Sequence, residues 1–228
     1  MTKILYLGHS AVMILNESGN IIIDPFFTNN PLNPMKVAAC KAQYILVTHG
    51  HSDHLGDTIE IAKNNEAKVI TNFEIATYLS KKGVKNLVPM NIGGTVYFEN
   101  FSVKMVEAVH SSSIEDGNNI IYGGNPAGFV VKLADLTIYH AGDTALIANM
   151  EFIGGQNVID IAFLPIGGTY TMDINDALMA TKILHPKMVV PIHYNTWDAI
   201  KVDVIKFKEM VEKETRSSCI ILNPGEAI

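Results

Sequence analysis

The chain has 228 residues, 48% of them hydrophobic and 18% charged, and a formal net charge of −6. This length suits one large domain over residues 1–228 with a substantial core, and the acidic balance argues against a broad basic surface for sliding along nucleic acid. Cys40 and Cys219 stand far apart outside any Cys-x-x-Cys spacing, which argues against a disulfide framework or a thiolate zinc knuckle and for two buried small apolar side chains.

The chain opens on the apolar run Ile4-Leu5-Tyr6-Leu7 with no basic stretch ahead of a long apolar segment. A cytoplasmic location without a membrane partner is expected from this. Residues 3–7, 11–15 and 20–24 read as a β-meander, with Glu17-Ser18-Gly19-Asn20 as turn chemistry. Pro25, Pro31 and Pro34 make residues 25–35 a surface loop.

From Tyr44 the pattern becomes strand then helix: 44–47 and 57–64, then 68–71 and 73–82, the second helix stopped by Gly83. Strands are expected at 84–89, 95–99 and 102–108, and a hairpin joins 129–133 to 136–140. Residues 111–128, rich in glycine and asparagine, read either as a mobile loop over a substrate or at a subunit contact, or as a plain surface loop. Alternation resumes with strand 159–164, helix 175–184, strand 188–191, helix 202–215 and strand 219–222. The order implies an α/β fold of two mixed sheets packed face to face, with helices on the outer surfaces.

The chemistry concentrates in Thr48-His49-Gly50-His51-Ser52-Asp53-His54, directly after an apolar strand and before a helix start. Three imidazoles and a carboxylate within six residues are costly to bury without a partner, and a metal ion supplies one. In an extended turn His49 and His51 point to one side, while Asp53 and His54 rotate with the incoming helix towards a second position. The bland reading, a solvated loop with Ser52 and Asp53 as helix caps, leaves the three histidines unexplained. Further on, His110, Asp143 and His193 each follow a predicted strand. Alone, His110 reads as an ordinary strand-end residue and Asp143 as a turn or cap residue.

The string matches His-x-His-x-Asp-His at every defined position and resembles the signature of the metallo-β-lactamase superfamily. The resemblance spans nearly the whole chain and implies a four-layer αββα sandwich. It also implies His49, His51 and His110 as ligands of one ion, Asp53, His54 and His193 as ligands of another, and Asp143 as the bridge. Gly8-His9-Ser10, Ile23-Asp24-Pro25, His140-Ala141-Gly142-Asp143-Thr144 and Gly167-Gly168-Thr169-Tyr170-Thr171-Met172 resemble a family of small metal-dependent hydrolases related to ascorbate-6-phosphate lactonase.

The implied cofactors are two divalent ions held by nitrogen and oxygen alone. Zinc suits this set first, with manganese, iron or nickel also tolerated. The implied activity is hydrolysis of a small ester-like bond, a lactone, thioester or phosphodiester, by metal-bound hydroxide. Asp53 is expected to orient and deprotonate the water. His9 is expected either as an acid or oxyanion donor or as a support behind a ligand, His140 as a support, and His185 as structural. Three loops, 26–35, 111–128 and 167–172, are expected to shape the pocket, with Thr169, Tyr170 and Thr171 as hydrogen-bond donors. The expected partner is a small molecule, and the family suggests a homo-oligomer. Two rivals share the fold. A nuclease is disfavoured by the acidic balance, and a redox or non-catalytic iron protein by the intact His51 and His54.

Overall fold

In the computed structural model, which describes residues 2–228, the chain forms two large sheets and a small hairpin. The first sheet holds, in spatial order, β1 (Lys3–Tyr6), β2 (Val12–Leu15), β3 (Ile21–Ile23), β4 (Tyr44–Leu46), β5 (Lys68–Asn72) and β6 (Leu87–Met90). Its first three strands pair antiparallel, as short turns allow. From β3 onwards the pairing is parallel, because the chain is carried back first by the loop 24–43 and then by the helices α1 (Ser52–Leu55), α2 (Thr58–Asn65) and α3 (Phe73–Lys81).

The second sheet contains β7 (Thr95–Tyr97), β8 (Ser102–Glu107), β11 (Ala127–Lys132), β12 (Thr137–His140), β13 (Ile161–Pro165), β14 (Met188–Ile192) and β15 (Ser218–Cys219). Its spatial order is β15-β14-β13-β12-β11-β8-β7, parallel from β15 to β12 and antiparallel beyond. The helices α4 (Met150–Gln156), α5 (Ile174–Leu184) and α6 (Val204–Glu214) serve this half.

Alternation along the strands sorts side chains into layers. Ile21 and Ile23 of β3, Leu46 of β4 and Ile70 of β5 face Phe129, Val131, Phe163 and Val190 between the sheets. Ile22, Ile45 and Val69 face the other way, onto Ile61 of α2 and Ile75 and Leu79 of α3. Val130, Tyr139, Ala162 and Val189 likewise meet Leu178 of α5 and Phe207 and Val211 of α6. The αββα layering expected from the element order is therefore present. Both cysteines are buried, and no described helix is long and apolar enough to cross a membrane.

Three segments differ from expectation. Residues 111–128 are not an open loop: β9 (Ser113–Asp116) and β10 (Asn119–Tyr122) form a hairpin around the two-residue turn Gly117-Asn118, where Gly117 has φ of 62°. The Lys82 ammonium holds Asp116 at 2.8 Å, and the Ser112 hydroxyl donates to the Gly123 carbonyl while accepting from the Gly50 amide, which ties the hairpin to the histidine turn. Helix α4 falls in a stretch with no expected element, since Gly154 and Gly155 lower its propensity and only Met150 and Ile153 bury an apolar face. The strand expected at 84–89 is shifted to Leu87–Met90. Residues 25–35 do run as a loop, but Phe26, Phe27 and Asn30 are buried in it.

Candidate metal centre

The topology brings the candidate residues to one edge. β1, β3, β4, β8, β12 and β14 all run towards it, and just past their ends stand His9, Asp24, His49–His54, His110, Asp143 and His193. Parallel pairing fixes this for β3 with β4 and for β12 with β14. β1 and β8 share the direction because each is separated from a co-directional strand by one antiparallel neighbour.

Four imidazole nitrogens converge on one oxygen. Asp143 Oδ2 lies 3.0 Å from His193 Nε2, 3.3 Å from His54 Nε2, 3.6 Å from His110 Nε2 and 4.0 Å from His49 Nε2. Three overlapping groups offer donor atoms within 4.8 Å of one another: His49, His51 and His110; His9, Asp53, His54 and His193; and His49, His54 and Asp143. All seven residues are thus drawn together, with His49 and His54 meeting again in the third group around Asp143. His9 is an addition to the second group.

The donor set fits a metal by its unmet hydrogen-bonding needs. His54 Nε2 and Asp143 Oδ1 are buried without a hydrogen-bond partner among the described residues, a costly state for polar atoms. Thr48 Oγ1 donates to Asp24 Oδ2 at 2.7 Å and so accepts from His49 Nδ1 at 3.0 Å, which leaves the His49 Nε2 lone pair facing His51 Nδ1 at 3.0 Å. A cation beside these rings takes the lone pairs that no protein donor serves.

Electrostatics prepare the same groups. Burial, reinforced by His54, pushes the His49 imidazole well below the ordinary histidine range, and burial lowers His51 and His110 too, so these rings are neutral donors. Burial opposes charge on Asp143, yet His193 and His54 hold its carboxyl well below the usual range. Burial also opposes charge on His54, but Asp143, Asp24 and Asp53 together lift its imidazole well above the ordinary value. Three carboxylates around one ring call for positive charge.

The support around these residues is specific. Asp24 accepts from the Thr48 amide at 2.8 Å, the Thr48 hydroxyl at 2.7 Å and His54 Nδ1 at 2.7 Å, which turns His54 Nε2 inward. Asp24 was not singled out in the sequence as a site residue. A carboxylate closing an all-isoleucine strand before Pro25 is the signal that marks it. His140 donates from Nε2 to the Ser10 carbonyl and accepts the Gly142 amide at Nδ1, a support as expected. Gly142, with φ of 62°, admits no side chain: a Cβ would lie 2.8 Å from the Ala127 carbonyl oxygen.

His9 is fully buried, with Nε2 3.1 Å from Asp53 Oδ2 and Nδ1 2.8 Å from Thr196 Oγ1. Burial, aided by His193, lowers its imidazole to about 4. A neutral ring beside an acceptor-only carboxylate carries its proton on Nε2, and Nδ1 accepts from Thr196. His9, Asp24 and His193 all have left-handed φ, of 58°, 48° and 53°, a strain of about 1–3 kcal/mol each. The His9 carbonyl is pinned by the His193 amide at 2.9 Å and the Tyr6 hydroxyl at 3.0 Å.

Beside Asp53 opens a cleft lined by Phe26, Thr28, Asn29, Asp57 and Trp197 among others. The loop carrying Thr196 and Trp197 was not foreseen, because nothing in Asn195-Thr196-Trp197 marks it before the fold sets it against His9. The expected donor Thr169 is already engaged, giving its proton to the Ala199 carbonyl at 2.6 Å. His185 caps α5 in left-handed backbone, a structural role as expected.

Comparison with known proteins agrees with this geometry. The pattern described as a beta-lactamase superfamily domain matches residues 3–193. A UPF0173 metal-dependent hydrolase from Desulforamulus reducens is 47% identical over 98% of both chains, and one from Anoxybacillus flavithermus 48% over 99% of both. A metallo hydrolase from the archaeon Ignicoccus hospitalis superimposes with a TM-score of 0.89 at 37% identity, covering 100% of this chain and 97% of the other. The chain belongs to the beta-lactamase superfamily and, within it, to the metal-dependent hydrolases.

Proposed function

We propose that the centre holds two divalent cations, one on His49, His51 and His110 and the other on Asp53, His54 and His193, with Asp143 between them, and that it hydrolyses a small ester-like bond in a lactone, thioester or phosphodiester. The observation that carries this reading is the convergence of four Nε2 atoms within 4.0 Å of Asp143 Oδ2. Nitrogen and oxygen donors without thiolate suit zinc first. Bound there, such ions supply Lewis acidity and a water acidic enough to ionise near neutral pH.

The protein's own groups do the rest. Asp53, one-fifth exposed, is the candidate ligand carboxylate open to the cleft and takes the proton of the attacking water. His9 positions Asp53 from behind and does not itself reach the substrate. Water oxygen bonds to the acyl or phosphoryl centre, the bond to the leaving oxygen or sulfur breaks, and the leaving group departs with the proton.

Metal analysis coupled to a panel of bis-p-nitrophenyl phosphate, lactones, thioesters and short RNA tests this. We expect two metals per chain and turnover that chelation removes and zinc or manganese restores. Asp143→Ala and His51→Ala should remain folded and lose that turnover. Full activity in either variant overturns the assignment.

A further inference from the structure

Resting on the hydrolase reading, we infer that the substrate carries an uncharged aromatic or flat apolar group beside the scissile bond, seated on Trp197 with the buried Phe26 behind it, and no second anionic group there.

The cleft beside Asp53 has an aromatic wall. The Trp197 indole is 40% exposed, with its ring 4.9 Å from His9 and 6.2 Å from Phe26. Its position is what matters: Trp197 lines the same cleft as Asp53, where a flat partner can cover the open face of the indole. The loop that carries it is anchored: the Trp197 carbonyl accepts the Ile200 amide at 3.1 Å, the Asn195 amide donates to the Ile200 carbonyl at 2.9 Å, the Asn195 side chain takes the Val202 amide, and neighbouring Thr196 is bonded to His9. An aromatic face on an anchored loop next to the candidate metal centre is a platform for a flat group.

The charge of the cleft selects in the same direction. None of its lining residues is lysine or arginine, although the chain has 17 of these residues. Its two carboxylates are Asp53 and Asp57. Asp53 belongs to the metal centre. Asp57 accepts from the Phe27 amide, the Thr28 amide and the Thr28 hydroxyl, at 2.8, 2.8 and 2.6 Å. Three donors hold this carboxylate, and among the described residues no lysine or arginine pairs with it. Beyond the reach of the metal centre, a carboxylate or phosphate on the substrate arm meets Asp57 and no lysine or arginine of the cleft, which favours neutral arms there.

The test varies only the acyl arm. The metal-loaded protein is assayed with S-methyl thioesters of phenylacetate, butyrate and succinate, detecting released methanethiol. We expect kcat/KM for phenylacetyl at least tenfold above butyryl, and butyryl at least tenfold above succinyl. Trp197→Ala should erase the phenylacetyl preference, and Trp197→Phe should keep most of it. Equal rates for the three esters, a succinyl preference, or an unchanged ratio in Trp197→Ala overturns the inference.

Because Trp197 is the one tryptophan in the chain, its fluorescence reads binding without turnover. N-methylphenylacetamide should quench it saturably, and N-methylsuccinamate should not. Selective quenching without hydrolysis of any thioester sinks thioester hydrolysis and leaves the cleft's preference standing. No response to either amide overturns the preference itself.

Discussion

His9 Nε2 lies 3.1 Å from Asp53 Oδ2, linking the turn after the first strand to the helix that carries two of the candidate ligands. His9 has no exposed surface, while Asp53 opens to the cleft, so the imidazole acts through the carboxylate. His9→Ala should lower kcat about 10–100-fold, the usual cost of losing such a support, with KM little changed. His9→Gln, which keeps a donor near Nε2, should recover part of the loss. Thr196→Val removes one hydrogen bond to His9 and should cost about fivefold. A His9→Ala variant with normal kcat and raised KM would instead place His9 against the substrate.

Asp24 makes the shortest contact to a candidate ligand, 2.7 Å to His54 Nδ1, while bonding twice to Thr48. Asp24→Asn leaves the shape but weakens the acceptor that sets the His54 tautomer. Metal affinity should fall about 10–100-fold, as measured by competition with a chromogenic chelator, and activity should return at higher free metal. Unchanged affinity would remove Asp24 from the centre.

The ligand string could be read from sequence because a metal site concentrates unusual residues locally, in His49–His54, and places the others just past apolar strands. Asp24, Thr196 and Trp197 could not be read in the same way. Their roles come from partners far along the chain: Thr196 matters because the fold sets it against His9, 187 residues away. The layers were legible because both faces of β3, β4 and β5 are apolar. The β9–β10 hairpin was hidden because β10 turns only Ile121 inward and leaves the apolar Ile120 and Tyr122 in water, so glycine content dominated the reading. Thr169 looked available only because its acceptor, the Ala199 carbonyl, is thirty residues distant.

Away from the metal centre, Asp160 accepts from the Thr137 amide at 2.7 Å and holds Lys187 at 2.7 Å, bridging the starts of neighbouring strands. Partial burial opposes its charge, but the Lys187 ammonium and the Thr137 amide pull its carboxyl below the ordinary value. A carboxylate depressed in the folded state contributes stability above its unfolded pKa of about 3.9 and loses that contribution as pH falls through the folded value. Wild type should therefore exceed Asp160→Asn in stability at pH 6, by no more than about 1 kcal/mol for so exposed a pair. The gap should close by pH 2–3 in urea titrations. A gap that persists undiminished in acid would mean that packing, not ionisation, accounts for the difference.

Gly56 ends α1 with φ of 42° and ψ of −129°, a backbone that side chains rarely adopt. A Cβ there would sit 2.8 Å from the Pro25 carbonyl carbon and 2.9 Å from Phe26 Cα, and backbone cannot yield as a flexible side chain can. The Pro25–Phe26 segment must shift, carrying with it the Phe26 ring that walls the cleft. Gly56→Ala should cost about 1–3 kcal/mol from strain alone, lowering the melting temperature by roughly 3–10 °C in a domain of this size. Below that temperature the centre should still bind metal, since none of the seven candidate ligands lies on the displaced segment, while KM for aromatic substrates rises. Calorimetry, metal analysis and kinetics on one preparation separate the two effects: a stability loss with unaltered KM would show that the loop relaxes without moving Phe26.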